Sequence, residues 1–315
     1  MWSSNYDVNM KLIIEIGTNS TKTVMIDGSF YLDERVYSGR IGEGLFESNR
    51  LSETAIERNI SILREIFEYY KVGSRKLEVG IAIIATQALR SAMNCDVFCD
   101  KVMELFGVGV HVLSPEEEAI CAFYSQYPVK NDVVLDIGGG STEVIVLSGS
   151  EEIVYKSYPV GAVYLKDLCC DEIGRFDSAD GFYGYVVGVL RECMAMGKNP
   201  PTPLWKRGES LTGIGGTFVA LAMIKKTLDR FQADKIEGTE LNIDEIREIW
   251  CVLYSGVSDK YSVDFINEIL KDRADIMIYG VGILLYVMNE LGIEKVAVSC
   301  RGVRHGYFVH KGAKR

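Results

Sequence analysis

Asp136 and Glu143 flank the run Gly138-Gly139-Gly140-Ser141-Thr142, so two carboxylates bracket a glycine turn of phosphate size. Apolar residues lead into and out of the turn across 132–149, which predicts a strand on each side. Moving back 121 residues, from 136 to 15, the chain nearly repeats itself. Glu15-Ile16-Gly17-Thr18-Asn19-Ser20-Thr21 stands over Asp136-Ile137-Gly138-Gly139-Gly140-Ser141-Thr142, and Gly28-Ser29 over Gly149-Ser150. One such turn is weak evidence, since glycine also serves ordinary hairpins. Two in matching strand contexts predict a duplicated α/β unit whose copies face each other across a cleft.

Other residues have chemistry to offer. Strict alternation from Ser141 to Leu147 puts Glu143 on one face with Ser141 and Ile145, and an acid among apolar neighbours is costly unless a cation or donors satisfy it. A metal explains it better than a solvated charge does. Ile214-Gly215-Gly216-Thr217 opens an apolar helix from Phe218, and a glycine turn feeding a helix N-terminus points free N–H groups and the dipole at one place. Arg90 follows a predicted strand over 79–84, at the C-terminal strand end where open α/β sheets bind ligands. Its guanidinium fork suits phosphate oxygens, the alternative being a solvated surface arginine. In Ser114-Pro115-Glu116-Glu117-Glu118, Ser114 and Glu117 make a capping box, Pro115 suits the first helical position and Glu116 complements the dipole. Glu118 is the acid that the cap leaves unexplained, with small Ala119 beside it.

The elements that must position these residues alternate between strand and helix. Strands are predicted over 11–16, 21–27 and 30–38, a helix capped by Ser52, and short strands over 79–84 and 110–113. The second copy supplies strands over 133–136, 142–147 and 153–158 and helices over 161–168 and 181–196. The proline-bearing stretch 198–208 is a connection, followed by a strand over 210–213. Helices over 243–254, 263–270 and 274–291, a strand over 295–299 and a terminal helix over 303–310 complete the chain.

At 315 residues the chain accommodates two domains of ordinary size. Hydrophobic residues at 48% and charged residues at 25% describe a soluble globular protein. The longest apolar run, 276–288, is shorter than a membrane span requires, and residues 1–9 lack the pattern of a secretory signal. Eight cysteines without a CxxC pair, and three histidines, disfavour a zinc site and fit reduced thiols in a cytoplasmic protein. A net charge of −10 disfavours general binding to nucleic acid or anionic membranes, so an anionic ligand needs local donors and a metal.

Taken together, GTNS, ATQALR, EEEA, DIGGGSTE, PVGAVYL, GIGGT, RADI and the final SCRGVRHG resemble the exopolyphosphatase and guanosine pentaphosphate phosphohydrolase (Ppx/GppA) family of the actin-like ATPase superfamily, over Lys11 to Gly312. The resemblance implies two actin-like (ribonuclease H-like) α/β domains, 1–121 with 301–315 and 122–300. It implies release of the terminal phosphate of polyphosphate, or of the 5′ γ-phosphate of pppGpp, by metal-assisted attack of water. Glu118 resembles the family's general base, Asp136 and Glu143 its ligands for Mg²⁺ or Mn²⁺, with Glu15 in the matching place of the first turn. Backbone N–H groups of Gly17, Thr18, Asn19 and Ser20, of Gly138, Gly139, Gly140, Ser141 and Thr142, and of Gly215, Gly216 and Thr217 would cradle phosphates, assisted by Lys22 and Arg90. The implied partners are polyphosphate or a guanosine penta- or tetraphosphate, with a homodimer as the candidate assembly. The sequence departs from the family pattern at Glu15, where Asp is usual, at Lys22, where Arg is usual, and at Pro115, Tyr164 and Cys300. Two other readings stay open: an ATP-using kinase or ATPase of the same superfamily, and a binder of these phosphates without turnover.

Overall fold

The computed structural model describes residues 10–28, 30–72, 80–126, 133–147, 153–169, 172–195, 210–258 and 260–312. Residues 1–9, the connection 198–208, and Ser29, Gly149 and Ser150 of the wider echo lie outside them. Contacts group the chain into two units, Met1–Glu118 and Ala119–Arg315.

Unit 1 contains β1 (Met10–Ile16), β2 (Thr21–Asp27), β3 (Phe30–Tyr37), α1 (Leu45–Ser48), α2 (Glu53–Tyr69), β4 (Gly80–Ala85), α3 (Gln87–Ser91), α4 (Cys95–Phe106) and β5 (Val110–Val112), and α5 (Pro115–Tyr124) begins in it. Its sheet has the order β3-β2-β1-β4-β5; the first three strands form an antiparallel meander, and β4 and β5 join in parallel. The core lies under one face of that sheet, where Leu12, Ile14 and Ile16 meet Ile56, Ile60 and Leu63 of α2 and Phe98 and Val102 of α4. Ser52 caps α2 as expected, its hydroxyl accepting the Ala55 N–H at 3.2 Å. Helix α4 has no counterpart in the sequence reading. The side chain of Asn94 before it faces away from the helix, exchanging two hydrogen bonds with the backbone of Leu51, so the usual start signal is absent.

Unit 2 contains β6 (Val133–Ile137), β7 (Thr142–Leu147), β8 (Ile153–Tyr158), α6 (Ala162–Cys169), α7 (Ala179–Ala195), β9 (Leu211–Ile214), α8 (Gly216–Lys226), α9 (Ala233–Ile236), β10 (Glu240–Asn242), α10 (Ile243–Ser255), α11 (Val263–Leu270), α12 (Ala274–Leu291), β11 (Lys295–Val298) and α13 (Val303–Gly312). Its sheet order is β10-β11-β9-β6-β7-β8. Read from β8, this is the unit 1 order again with β10 added at the far edge. The duplication expected from the two turns is therefore present in topology: each unit is an α/β sheet of actin-like order. Helix α12 spans the predicted residues and is long and apolar enough to cross a membrane by length and composition, yet most of its side chains are buried in the unit 2 core. Phe182 of α7 stacks on Trp250 of α10 there, ring centroids 5.5 Å apart.

Candidate active site

The two glycine turns share their backbone hydrogen bonds as well as their residues. Gly17 N–H donates to Ser20 O and Gly138 N–H to Ser141 O, both at 3.0 Å. In the antiparallel pairs around them, Glu15 stands opposite Lys22, and Asp136 opposite Glu143. The constant offset thus carries strand register as well as sequence. It extends further, because the segment after the third strand folds back over each turn. Gly42 N–H donates to Thr18 O at 3.0 Å, and Val163 N–H, 121 positions later, donates to Gly139 O at 2.8 Å.

In unit 1 the matching positions form an ion pair. Lys22 Nζ lies 3.0 Å from Glu15 Oε1, and Glu15 is only 5% exposed. The first turn therefore has its acid neutralised by its own lysine, a pairing that the sequence reading, with Glu15 toward metal and Lys22 toward phosphate, did not anticipate.

Glu118 sits in the first turn of α5, whose capping box forms as predicted: Ser114 N–H donates to Glu117 at 3.0 Å and Glu117 N–H to Ser114 Oγ at 3.1 Å. The box occupies Glu117 and leaves Glu118 pointing elsewhere, buried, with Arg90 Nη1 donating to its Oε2 at 2.9 Å. The same guanidinium donates to Leu113 O and to Gln87 Oε1, both at 2.6 Å. Arg90 thus holds the catalytic candidate, Glu118. Burial pushes the Glu118 carboxyl above the ordinary glutamate range; the charge and hydrogen bond of Arg90 oppose this, the charge of Glu15 adds to it, and Lys22 opposes. Glu118, Arg90, Glu15 and Lys22 consequently form one electrostatic cluster at the C-terminal ends of β1 and β4.

Unit 2 gathers a different set. Glu143 is 1% exposed and accepts the Ser157 hydroxyl at 2.7 Å, while Asp136 faces it across the β6–β7 pair. Beside Asp136, the turn into α8 makes its close approach: Gly215 has φ +100°, and a Cβ there would lie 2.9 Å from Asp136 Oδ1 and from Ile137 O. The N–H groups at the start of α8 emerge at that point, with Gly216 and Thr217 opening the helix and Arg273 Nη1 3.4 Å from Gly216 O. Sequence reading missed Ser157 and Arg273 as site residues. The signal for Ser157 was strand register, a polar residue opposite Glu143; Arg273 had none beyond its motif.

Two hard carboxylates of which one is buried, opposed across a strand pair, suit Mg²⁺ or Mn²⁺, which take oxygen ligands and commonly keep waters and substrate phosphates as the rest. Among the described residues no group of three metal-ligating side chains occurs.

A sequence model of the Ppx/GppA phosphatase family matches residues 31–314. A guanosine-5′-triphosphate,3′-diphosphate pyrophosphatase of Pseudoalteromonas translucida is 27% identical over 314 residues, covering 95% of this chain and 58% of that protein. A bifunctional 3-dehydroquinate synthase/phosphatase of Fusobacterium nucleatum is 23% identical, covering 92% of this chain and 45% of its own. The chain spans about half the length of these curated relatives. Among solved structures, the Aquifex aeolicus Ppx/GppA family member superposes with a TM-score of 0.69 at 24% identity, covering 97% of this chain and 98% of that one. An exopolyphosphatase of Cytophaga hutchinsonii gives 0.71 at 21%, covering 96% and 98%. Both likenesses establish the fold.

Proposed function

This chain belongs to the Ppx/GppA phosphatase family, and from that premise we propose that it is a metal-dependent phosphohydrolase that removes the terminal phosphate of inorganic polyphosphate or the 5′ γ-phosphate of pppGpp. The observation that carries the proposal is Glu118: a buried carboxylate, pushed by that burial above the ordinary glutamate range, fixed by an arginine and left over from its helix cap. Such a group is suited to take a proton from water at the moment of attack. Hydrolysis of a phosphoanhydride asks little covalent help of a protein and much positioning, which the backbone N–H groups of the glycine turns supply. Asp136 and Glu143 would hold the divalent cation, whose chemistry is to neutralise charge on the phosphate oxygens. Lys22 would meet a substrate phosphate by exchanging its carboxylate partner for it, and Arg90 would meet one while still holding Glu118.

Phosphate release from pppGpp, long-chain polyphosphate and tripolyphosphate, measured side by side with Mg²⁺, tests this reading. Release from at least one is expected. Binding of all three without release makes the chain a regulator that senses these compounds, a reading favoured by the Glu15–Lys22 ion pair. Phosphorylation of an acceptor from ATP, with no release from any of the three, replaces both.

A further inference from the structure

Each glycine turn is pinned to the segment that folds over it, directly from a threonine in unit 2 and through a second side chain in unit 1. In unit 2, Thr142 Oγ1 donates directly to Val160 O at 2.6 Å. Moving back 121 residues, Thr142 becomes Thr21 and Val160 becomes Gly39. Thr21 instead donates to Asn59 Oδ1 at 3.1 Å, and Asn59 Nδ2 donates to Gly39 O and to Ala55 O, both at 2.8 Å. Asn59 belongs to α2, is 1% exposed, and has both ends of its amide engaged.

The packing around this bridge leaves no slack. A Cβ on Gly39 would stand 2.4 Å from Asn59 Oδ1, and one on Gly42 2.4 Å from Thr18 Cγ2. Between those glycines Arg40 has φ +42°, a left-handed backbone that a residue with a side chain adopts at a cost, and its N–H donates to Asn19 O at 2.9 Å. The matching residue of unit 2 is Gly161. Unit 1 thus keeps a strained non-glycine residue against its phosphate turn, and Asn59 ties the neighbouring Gly39 to α2 beside the backbone bonds from Arg40 and Gly42 to the turn.

We propose that Asn59 is a positioning residue for the first phosphate turn: through Thr21 on one side and the 39–42 segment on the other, it ties Gly17–Ser20 to helix α2. The inference rests on reading that turn as a phosphate cradle. The chemistry asks for asparagine, because the site needs one acceptor for the Thr21 hydroxyl and two donors for the Gly39 and Ala55 carbonyls. Aspartate would set a carboxylate against two carbonyl oxygens, and an apolar residue would take the acceptor from the Thr21 hydroxyl and leave Gly39 O with Arg58 Nη1 at 3.4 Å as its side-chain donor.

The test pairs amide hydrogen exchange of the substrate-free protein with steady-state kinetics on tripolyphosphate and Mg²⁺, for the wild type, Asn59→Asp, Thr21→Val and Thr21→Ser. In Asn59→Asp, exchange over 17–20 is expected to rise about tenfold or more, and less in Thr21→Val, since that variant loses one buried hydrogen bond, whereas aspartate loses two and sets a carboxylate against the two carbonyl oxygens. Exchange over 138–142 should stay as in the wild type, and Thr21→Ser, which keeps the hydroxyl, should behave as wild type. KM is expected to rise about tenfold with kcat within a few-fold, because a displaced cradle loses binding common to ground state and transition state. Unchanged exchange over 17–20 in folded Asn59→Asp overturns the proposal, as does a fall in kcat with KM unaltered. If Asn59→Asp does not fold, Thr21→Val decides by the same readout. If the wild type releases no phosphate while exchange responds as described, the positioning role stands and the phosphohydrolase reading is what fails.

Discussion

Glu118 owes its chemistry to what surrounds it, and two substitutions separate the contributions. Glu118→Ala should lower turnover by about 10²–10⁴-fold, the usual worth of a positioned base, with substrate binding retained; undiminished phosphate release would remove Glu118 from the mechanism. As the proposed base, Glu118 works ionised, so the rate should rise as pH passes its folded-state pKa. Burial places that limb above the ordinary glutamate value of roughly 4.3. Arg90 holds the pKa down by charge and hydrogen bond. Arg90→Gln should therefore move the acid limb to higher pH, and a limb that stays put or falls would contradict the assigned cause. The same shift makes Glu118 a cost to the fold above its unfolded-state pKa, where the buried form must carry charge. Glu118 was legible in the sequence by elimination, since the capping box accounts for its neighbours. Its bridge to Arg90 was not, because two residues 28 positions apart meet only through the pairing of β4 with β5.

Among the elements, those with strong periodicity or side-chain caps were legible: α2 begins where Ser52 places it, and α11 and α12 span the residues predicted for them. Those set by tertiary contact were not. Asn94 serves Leu51 rather than the start of α4, and β10 is three residues long, defined by its pairing with β11. The turn between β9 and α8 was legible as glycine-rich, but its need for glycine is a matter of geometry. At φ +100° and with Asp136 Oδ1 2.9 Å from a built Cβ, Gly215→Ala combines a backbone penalty with a clash against the carboxylate. A loss of about 1–3 kcal/mol is expected from the backbone term alone, read as a lower midpoint in urea unfolding. An unchanged midpoint would show that the turn can relax.

At the scale of the molecule, each unit builds its own core, one around β1, α2 and α4, the other around α7, α10 and α12. Phe182 is the keystone of the second, fully buried, stacked on Trp250 and edge-on to Tyr279. Phe182→Ala should cost about 3–5 kcal/mol, seen as lost protection from hydrogen exchange in α7, α10 and α12. Protection unchanged in those helices would refute the assignment. The duplication itself was legible from two seven-residue runs. How far it extends, through register, turn and overlying segment to Val163, was not, because backbone hydrogen bonds conserve it where side chains do not.

That extent gives the charge at one pair of positions a meaning beyond its own turn. Glu15 with Lys22 sums to zero, and Asp136 with Glu143 to −2 when both are ionised. The repeat is alike in backbone and unlike in charge. On the proposal that Asp136 and Glu143 hold the divalent ion, only one of the two frames offers it two acids, and Mn²⁺ titrated into the protein should saturate at a single equivalent per chain. Asp136→Asn should weaken that equivalent, and Lys22→Glu, which restores the missing acid to the first frame, should add a second. Two equivalents in the wild type would mean that the lysine does not set the count.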